Sequence, residues 1–192
     1  MLAGNSRHFA FWYDVIRWTP ENIYGPFNIF VAGTSLLDDV DAESELMSIA
    51  SGLKKTLGEI HALMEIPKSA DAKNLFLRSL HEHGYLSFED PVIPAQWQED
   101  GGGKIGEFLR TLNDLIEERR ANPPFGHEIL MGQKLRENGW RFFLYSRGKK
   151  EIMLLSGDHG RKVVKLALPK GSLKSAIEAF LDSEEISLRL GE

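Results

Sequence analysis

Phe9, Phe11, Tyr13 and Val15 fall on one side of an alternating segment, with Ala10, Trp12, Asp14 and Ile16 on the other. That two-residue period is the pattern of a strand. The turn-forming TPENIYGP follows, and PFNIFVAG then sets Phe27, Ile29 and Val31 on one face of a second strand. Together they predict an antiparallel hairpin with a loop longer than the tightest type. The period next becomes helical: Leu46, Ile49, Ala50, Leu53, Leu57, Ile60 and Met64 make one apolar stripe, weakened by Gly52 and Gly58. Asp41 is the expected N-cap, with Glu43 and Glu45 favouring the positive end of the dipole. Beyond Pro67 a second helix is expected over about Ala70 to His83, with Ala72, Leu75, Phe76 and Leu80 inward and Gly84 as its stop.

Residues 85–103 lose periodicity, with two prolines and three successive glycines, and read as an irregular flexible loop within a single domain of residues 1–192. A third helix is predicted from Ile105, blocked at Pro123 and Pro124. The segments GWRFFLYS, EIMLLS and KVVKLAL predict a three-stranded meander turning at RGKK and at GDHG. In the second turn Gly157 and Gly160 are expected at positive φ, with Asp158 bonding its own backbone. The last helix starts at Ser172, taken as its cap, and buries Leu173, Ala176, Ile177, Phe180 and Leu181. ISLRL is either a short edge strand or an ordered tail. The fold class is α+β: an antiparallel sheet from the N-terminal hairpin and the C-terminal meander, packed with about four helices mainly on one face.

Composition narrows the function. The apolar fraction of 42% suffices for a core, and no stretch approaches the roughly 20 apolar residues that span a bilayer. With no cysteine there is no disulfide, thiolate metal site or cysteine nucleophile. The net charge of −5 argues against a nucleic-acid binder. For the same reason the ring-bearing strands read as core rather than as a platform for bases.

Candidate chemistry is thin. GGGKIG, Gly101 to Gly106, satisfies the glycine spacing of a dinucleotide loop but lacks the entering strand and the downstream acid. His81 and His83 would point about 200° apart on a helix and cannot share a metal there. Glu89, Asp90, Glu99 and Asp100 sit where an acid/base pair could form, without a motif to anchor one. The densest feature is LDDVDAESE, which holds Asp38, Asp39, Asp41, Glu43 and Glu45. Capping accounts for the last three; Asp38 and Asp39 remain for an acidic surface that docks on a basic partner.

The N-terminal Phe9-Ala10 strand, the Phe27 to Gly33 strand, Phe143-Leu144, Ser156, Asp158, Gly160 and Leu168-Pro169-Lys170-Gly171 before the final helix carry a resemblance. In this order they resemble immunity family forty-two of the bacterial polymorphic-toxin and contact-dependent inhibition systems. The resemblance covers about the first sixty residues and the last fifty. It departs at Tyr145 and Lys149-Lys150, where the family pattern has an acid and an arginine. It implies a non-enzyme with no catalytic residue, cofactor or metal site: a cytoplasmic protein that binds the C-terminal domain of a cognate toxin, such as a nuclease, and touches neither nucleic acid nor membrane. The charge argument adds the contact residues, Asp38, Asp39 and Asp41 first, then Glu99 and Asp100. Two competing readings are a small enzyme or ligand-binding domain with its site around residues 89–106, and an adaptor that takes a peptide on a sheet edge at ISLRL.

Overall fold

The computed structural model describes residues 1–37, 43–60, 63–85, 124–157 and 161–190. Asp38, Asp39, Asp41, Glu99 and Asp100, the histidines His61 and His159, GGGKIG, the helix expected from Ile105, residues 86–103 and the turn residues Asp158 to Gly160 lie outside them. The chain forms two compact units, Met1–Phe76 with Gly126–Glu192, and Leu77–Phe125.

In the larger unit the predicted hairpin forms between β2 (Phe9–Tyr13) and β5 (Phe27–Val31), with Tyr13 opposite Phe27 and Phe9 opposite Val31. β1 (Leu2–Asn5) and β6 (Thr34–Ser35) extend this sheet in the order β1-β2-β5-β6. The connection between β2 and β5 carries a second small hairpin, β3 (Arg17–Trp18) with β4 (Ile23–Gly25), and β4 also pairs with β7 (Ser44–Glu45). The first helix, α1, is Leu46–Glu59 and buries Leu46, Ile49, Ala50 and Leu53. Its N-cap is Glu45 rather than Asp41, because Ser44 and Glu45 are drawn into the β4 ladder and the helical dihedrals start only after them. The apolar stripe outruns the helix: Met64 lies beyond its end and is exposed.

The meander also forms, as a sheet of its own with order β11-β10-β9-β8: β8 (His127–Glu128), β9 (Arg141–Arg147), β10 (Lys150–Ser156) and β11 (Val164–Pro169). Phe142, Leu144, Met153 and Leu155 join the main core, while Phe143, Tyr145, Ile152 and Leu154 are buried as well. Burial of consecutive residues means that both faces of this sheet are covered, so the expectation of helices mainly on one face does not hold here. The run FFLY and the run IMLL are the sequence trace of that double burial. Phe76 of α2 (Ala72–Glu82) meets Phe143 edge-on at 5.4 Å between ring centres.

Between Gln133 and Glu137 lies a short helix, α3. The helix α4 (Ser172–Leu181) buries Leu173, Ala176, Ile177 and Phe180 as the pattern predicts. Phe180 sits against Phe11, Tyr13 and Phe27 at 5.8, 4.9 and 6.0 Å. Gly4, at φ +105°, lets α4 come close: a Cβ there would stand 2.8 Å from the Cβ of Ala176. The cap of α4 is not the Ser172 hydroxyl. Gly171 takes the N-cap position in the left-handed region, and the carboxylate of Glu151 reaches from β10 to accept from its N–H at 2.7 Å and from that of Leu173 at 3.5 Å. ISLRL is not an edge strand but an ordered tail: it lies in the helix α5 (Glu184–Leu190), with Ile186 buried and Arg189 donating to the Pro20 carbonyl at 2.6 Å.

β10 and β11 pair antiparallel, with Leu155 opposite Val164, on either side of GDHG. Gly157 itself is not in the positive-φ region. A side chain there would overlap the indole of Trp140, which stacks on Phe142 at 5.9 Å. Close approach, not turn geometry, calls for that glycine.

Candidate functional site

The acidic run is held at both ends. On one side Asn28, 2% exposed, grips Leu37 with its whole amide: Nδ2 donates to the Leu37 carbonyl at 3.1 Å, and Oδ1 accepts from the Leu37 N–H at 3.3 Å. A buried amide satisfied in this way is a rigid anchor. On the other side Ser44 and Glu45 are paired to β4. Glu43 reaches Arg17 at 3.7 Å, and the Arg17 guanidinium lies 4.2 Å from the centre of the Tyr24 ring.

Leu37, Ser44 and Glu45 line one groove of about 230 Å³. Phe27, Ile49, Met131, Leu135 and Trp140 supply its other apolar walls, and Ser48, Gln133, Lys134 and Asn138 its polar ones. Two glycines shape this region. Gly132, at φ +87°, would bring a Cβ within 2.8 Å of Ile49, and Gly52 lets the Leu130 carbonyl cross α1, where a Cβ would meet it at 2.5 Å. Thr56 then accepts from the Leu130 N–H at 3.0 Å.

Basic charge collects elsewhere. Residues 141–175 contain nine lysines and arginines against two acids, and an open depression at the β9–β10 turn is lined by Lys68, Arg147, Lys149 and Lys150. Glu65 lies in it and accepts from the Ser146 hydroxyl and from the Gly148 N–H at 2.7 Å. The serine bond first, the backbone bond next and the charge of Lys170 hold its carboxyl below the usual range. In the smaller unit the Arg78 bond lowers Glu82 in the same way, helped by the Phe125 N–H, while Arg78 stacks over the Phe125 ring at 4.0 Å. Both move in the direction of pairing, whereas a general acid near neutral pH needs a raised carboxyl. Burial raises the Tyr13 phenol. Among the described residues no group of three or more His, Asp or Glu could hold a metal ion.

What this arrangement forms is an apolar groove bordered by Leu37 on one side of an acidic run and by Ser44 and Glu45 on the other. The chain belongs to the immunity protein 42 family, whose model matches residues 1–183 and so spans the middle that the sequence motifs leave unplaced. It is an immunity protein that neutralises a toxin. Its fold is similar to that of the crystal structure of CdiI from Burkholderia dolosa AUO158, with a TM-score of 0.62 and 16% sequence identity over 94% of this chain and 98% of that one. No curated protein matches the chain. No helix among the described residues is long and apolar enough to cross a membrane.

Proposed function

We propose that the chain works in the cytoplasm without chemistry of its own, by direct binding to the C-terminal toxin domain of its cognate system, and that this toxin is an enzyme with a basic working surface, such as a nuclease. Membership of the immunity family carries the reading. The charge distribution supports the basic partner: outside residues 141–175 the chain holds 26 acids against 14 bases. Complementary potential of this kind accelerates encounter and fixes register. Asp38, Asp39 and Asp41 are the first contact candidates and Glu99 with Asp100 the second. Because the N-cap of α1 is Glu45, capping no longer accounts for Asp41.

The test is D38K/D39K, with binding to the purified toxin domain measured across a salt series. The expected result is a weaker complex whose salt dependence flattens. Unchanged affinity and slope would mean that another patch does the binding.

A further inference from the structure

We infer that the open depression at the β9–β10 turn is a docking surface for an acidic segment of a partner protein, a contact beyond those the immunity reading supplies. The first observation is uncompensated charge. Lys68, Arg147, Lys149 and Lys150 line the depression, and Glu65 is the one acid among its lining residues. Lys170 stands close enough for its charge to act on Glu65 as well. Among the described residues no carboxylate lies within ion-pair distance of the four lining cations, whereas Arg17, Arg78 and Lys174 each have one. This positive excess stands on a chain whose net charge is −5. A local field of that kind attracts carboxylates and fixes the register of what binds.

The second observation is a fixed backbone. Arg147 and Lys150 pair across a two-residue loop, and Gly148 takes φ +61° in its first position, as a tight hairpin requires. The chain before Pro67 is stitched to the end of β9. The Ser146 N–H donates to the Met64 carbonyl and the Ile66 N–H to the Ser146 carbonyl, both at 2.9 Å. Both oxygens of Glu65 are taken, by the Ser146 hydroxyl and the Gly148 N–H. That carboxylate ties the two stretches together, so Lys68 and the hairpin tip share one depression. A preformed backbone needs little ordering on binding.

Size and lining then select the anion. The depression holds about 750 Å³, and sites of about 300–1,000 Å³ take molecules far larger than one inorganic ion. Ile66, which is buried, and Pro67 add apolar surface for the side-chain stems of a peptide. No aromatic ring lies in the lining, so bases would have nothing to stack on. The net negative charge of the chain also repels a long polyanion. A short acidic stretch on a protein meets the local charge without that long-range repulsion.

The test titrates the isotope-labelled chain with hexaglutamate across a salt series and follows its amide resonances. An oligothymidylate of equal charge and inorganic phosphate are run beside it. The expected result is saturable shifts confined to residues 65–68 and 147–150, weakening as salt rises. Lys149→Glu with Lys150→Glu is expected to weaken binding by at least about tenfold. Lys54→Glu with Lys55→Glu, which changes two exposed lysines of α1, is expected to leave it as in the wild type. An equal loss in both double variants, or no shifts at 65–68 and 147–150, overturns the docking surface. Oligothymidylate or phosphate binding as tightly as the peptide overturns the protein partner. If K149E/K150E does not fold, the location of the wild-type shifts decides.

Discussion

Removing the Glu151 carboxylate tests the link between the two sheets' covering helix and the meander. Glu151 is 6% exposed and serves the first turn of α4, whose backbone N–H groups have no partner within the helix. Its bond to Gly171 at 2.7 Å is short and charge-assisted; that to Leu173 at 3.5 Å is weak. A hydrogen bond to a charged group contributes about 1.5–3 kcal/mol. The negative charge near the helix N-terminus adds about 0.3–1 kcal/mol. Glu151→Ala therefore destabilises the fold by about 2–4 kcal/mol. Glu151→Gln keeps an acceptor and loses the charge, and costs about 1 kcal/mol. For a chain of this size 1 kcal/mol corresponds to about 2–4 °C in Tm, so E151A falls by roughly 4–16 °C. Urea unfolding followed by circular dichroism, with a thermal scan beside it, gives both numbers. If E151A stays within about 0.5 kcal/mol of the wild type, water rather than Glu151 satisfies this helix end and the reasoning fails.

The two glycines of α1 respond in opposite directions. Gly58→Ala meets nothing within 4 Å and stabilises by about 0.5–1 kcal/mol, whereas Gly52→Ala drives a methyl into the Leu130 carbonyl and destabilises by about 1–3 kcal/mol; paired urea titrations show the sign change. Acid sensitivity follows from Glu65 and Glu82. Both carboxyls titrate below the ordinary value of 4.5 when folded, so the stability they contribute is present above that value and is lost as pH falls through their folded pKa. Glu65→Gln with Glu82→Gln is expected to flatten the fall in unfolding free energy between neutral pH and about pH 3. An equally steep fall in the double variant would show that other carboxylates control it. Asn28→Ala removes both bonds that hold the Leu37 backbone and is expected to destabilise the fold by about 1–3 kcal/mol, which a melting curve beside a urea titration measures.

Local pattern was enough for the strands and helices whose residues keep one period. The β2–β5 hairpin, α2 with its Gly84 stop and the buried face of α4 follow from spacing, because a side chain's direction repeats every two residues in a strand and every 3.6 in a helix, while β9 and β10 read as short unbroken apolar runs bounded by turns. The acidic run was legible in the same way, since charge is a property of composition. Tertiary contact decided the rest. Nothing local tells Ser44 and Glu45 to join β4 and delay α1, or tells Glu151 to cap a helix twenty residues on. Gly157 reads as a turn residue until Trp140 is laid against it. The groove is invisible in sequence for the same reason. Its walls come from Phe27, Leu37, Ile49, Met131 and Trp140, residues far apart in the chain that meet only when α1 and the segment before β9 pack together. The chain alone determined what charge this immunity protein carries; the packing of distant residues decided that Glu45, at one end of the acidic run, lines a cavity.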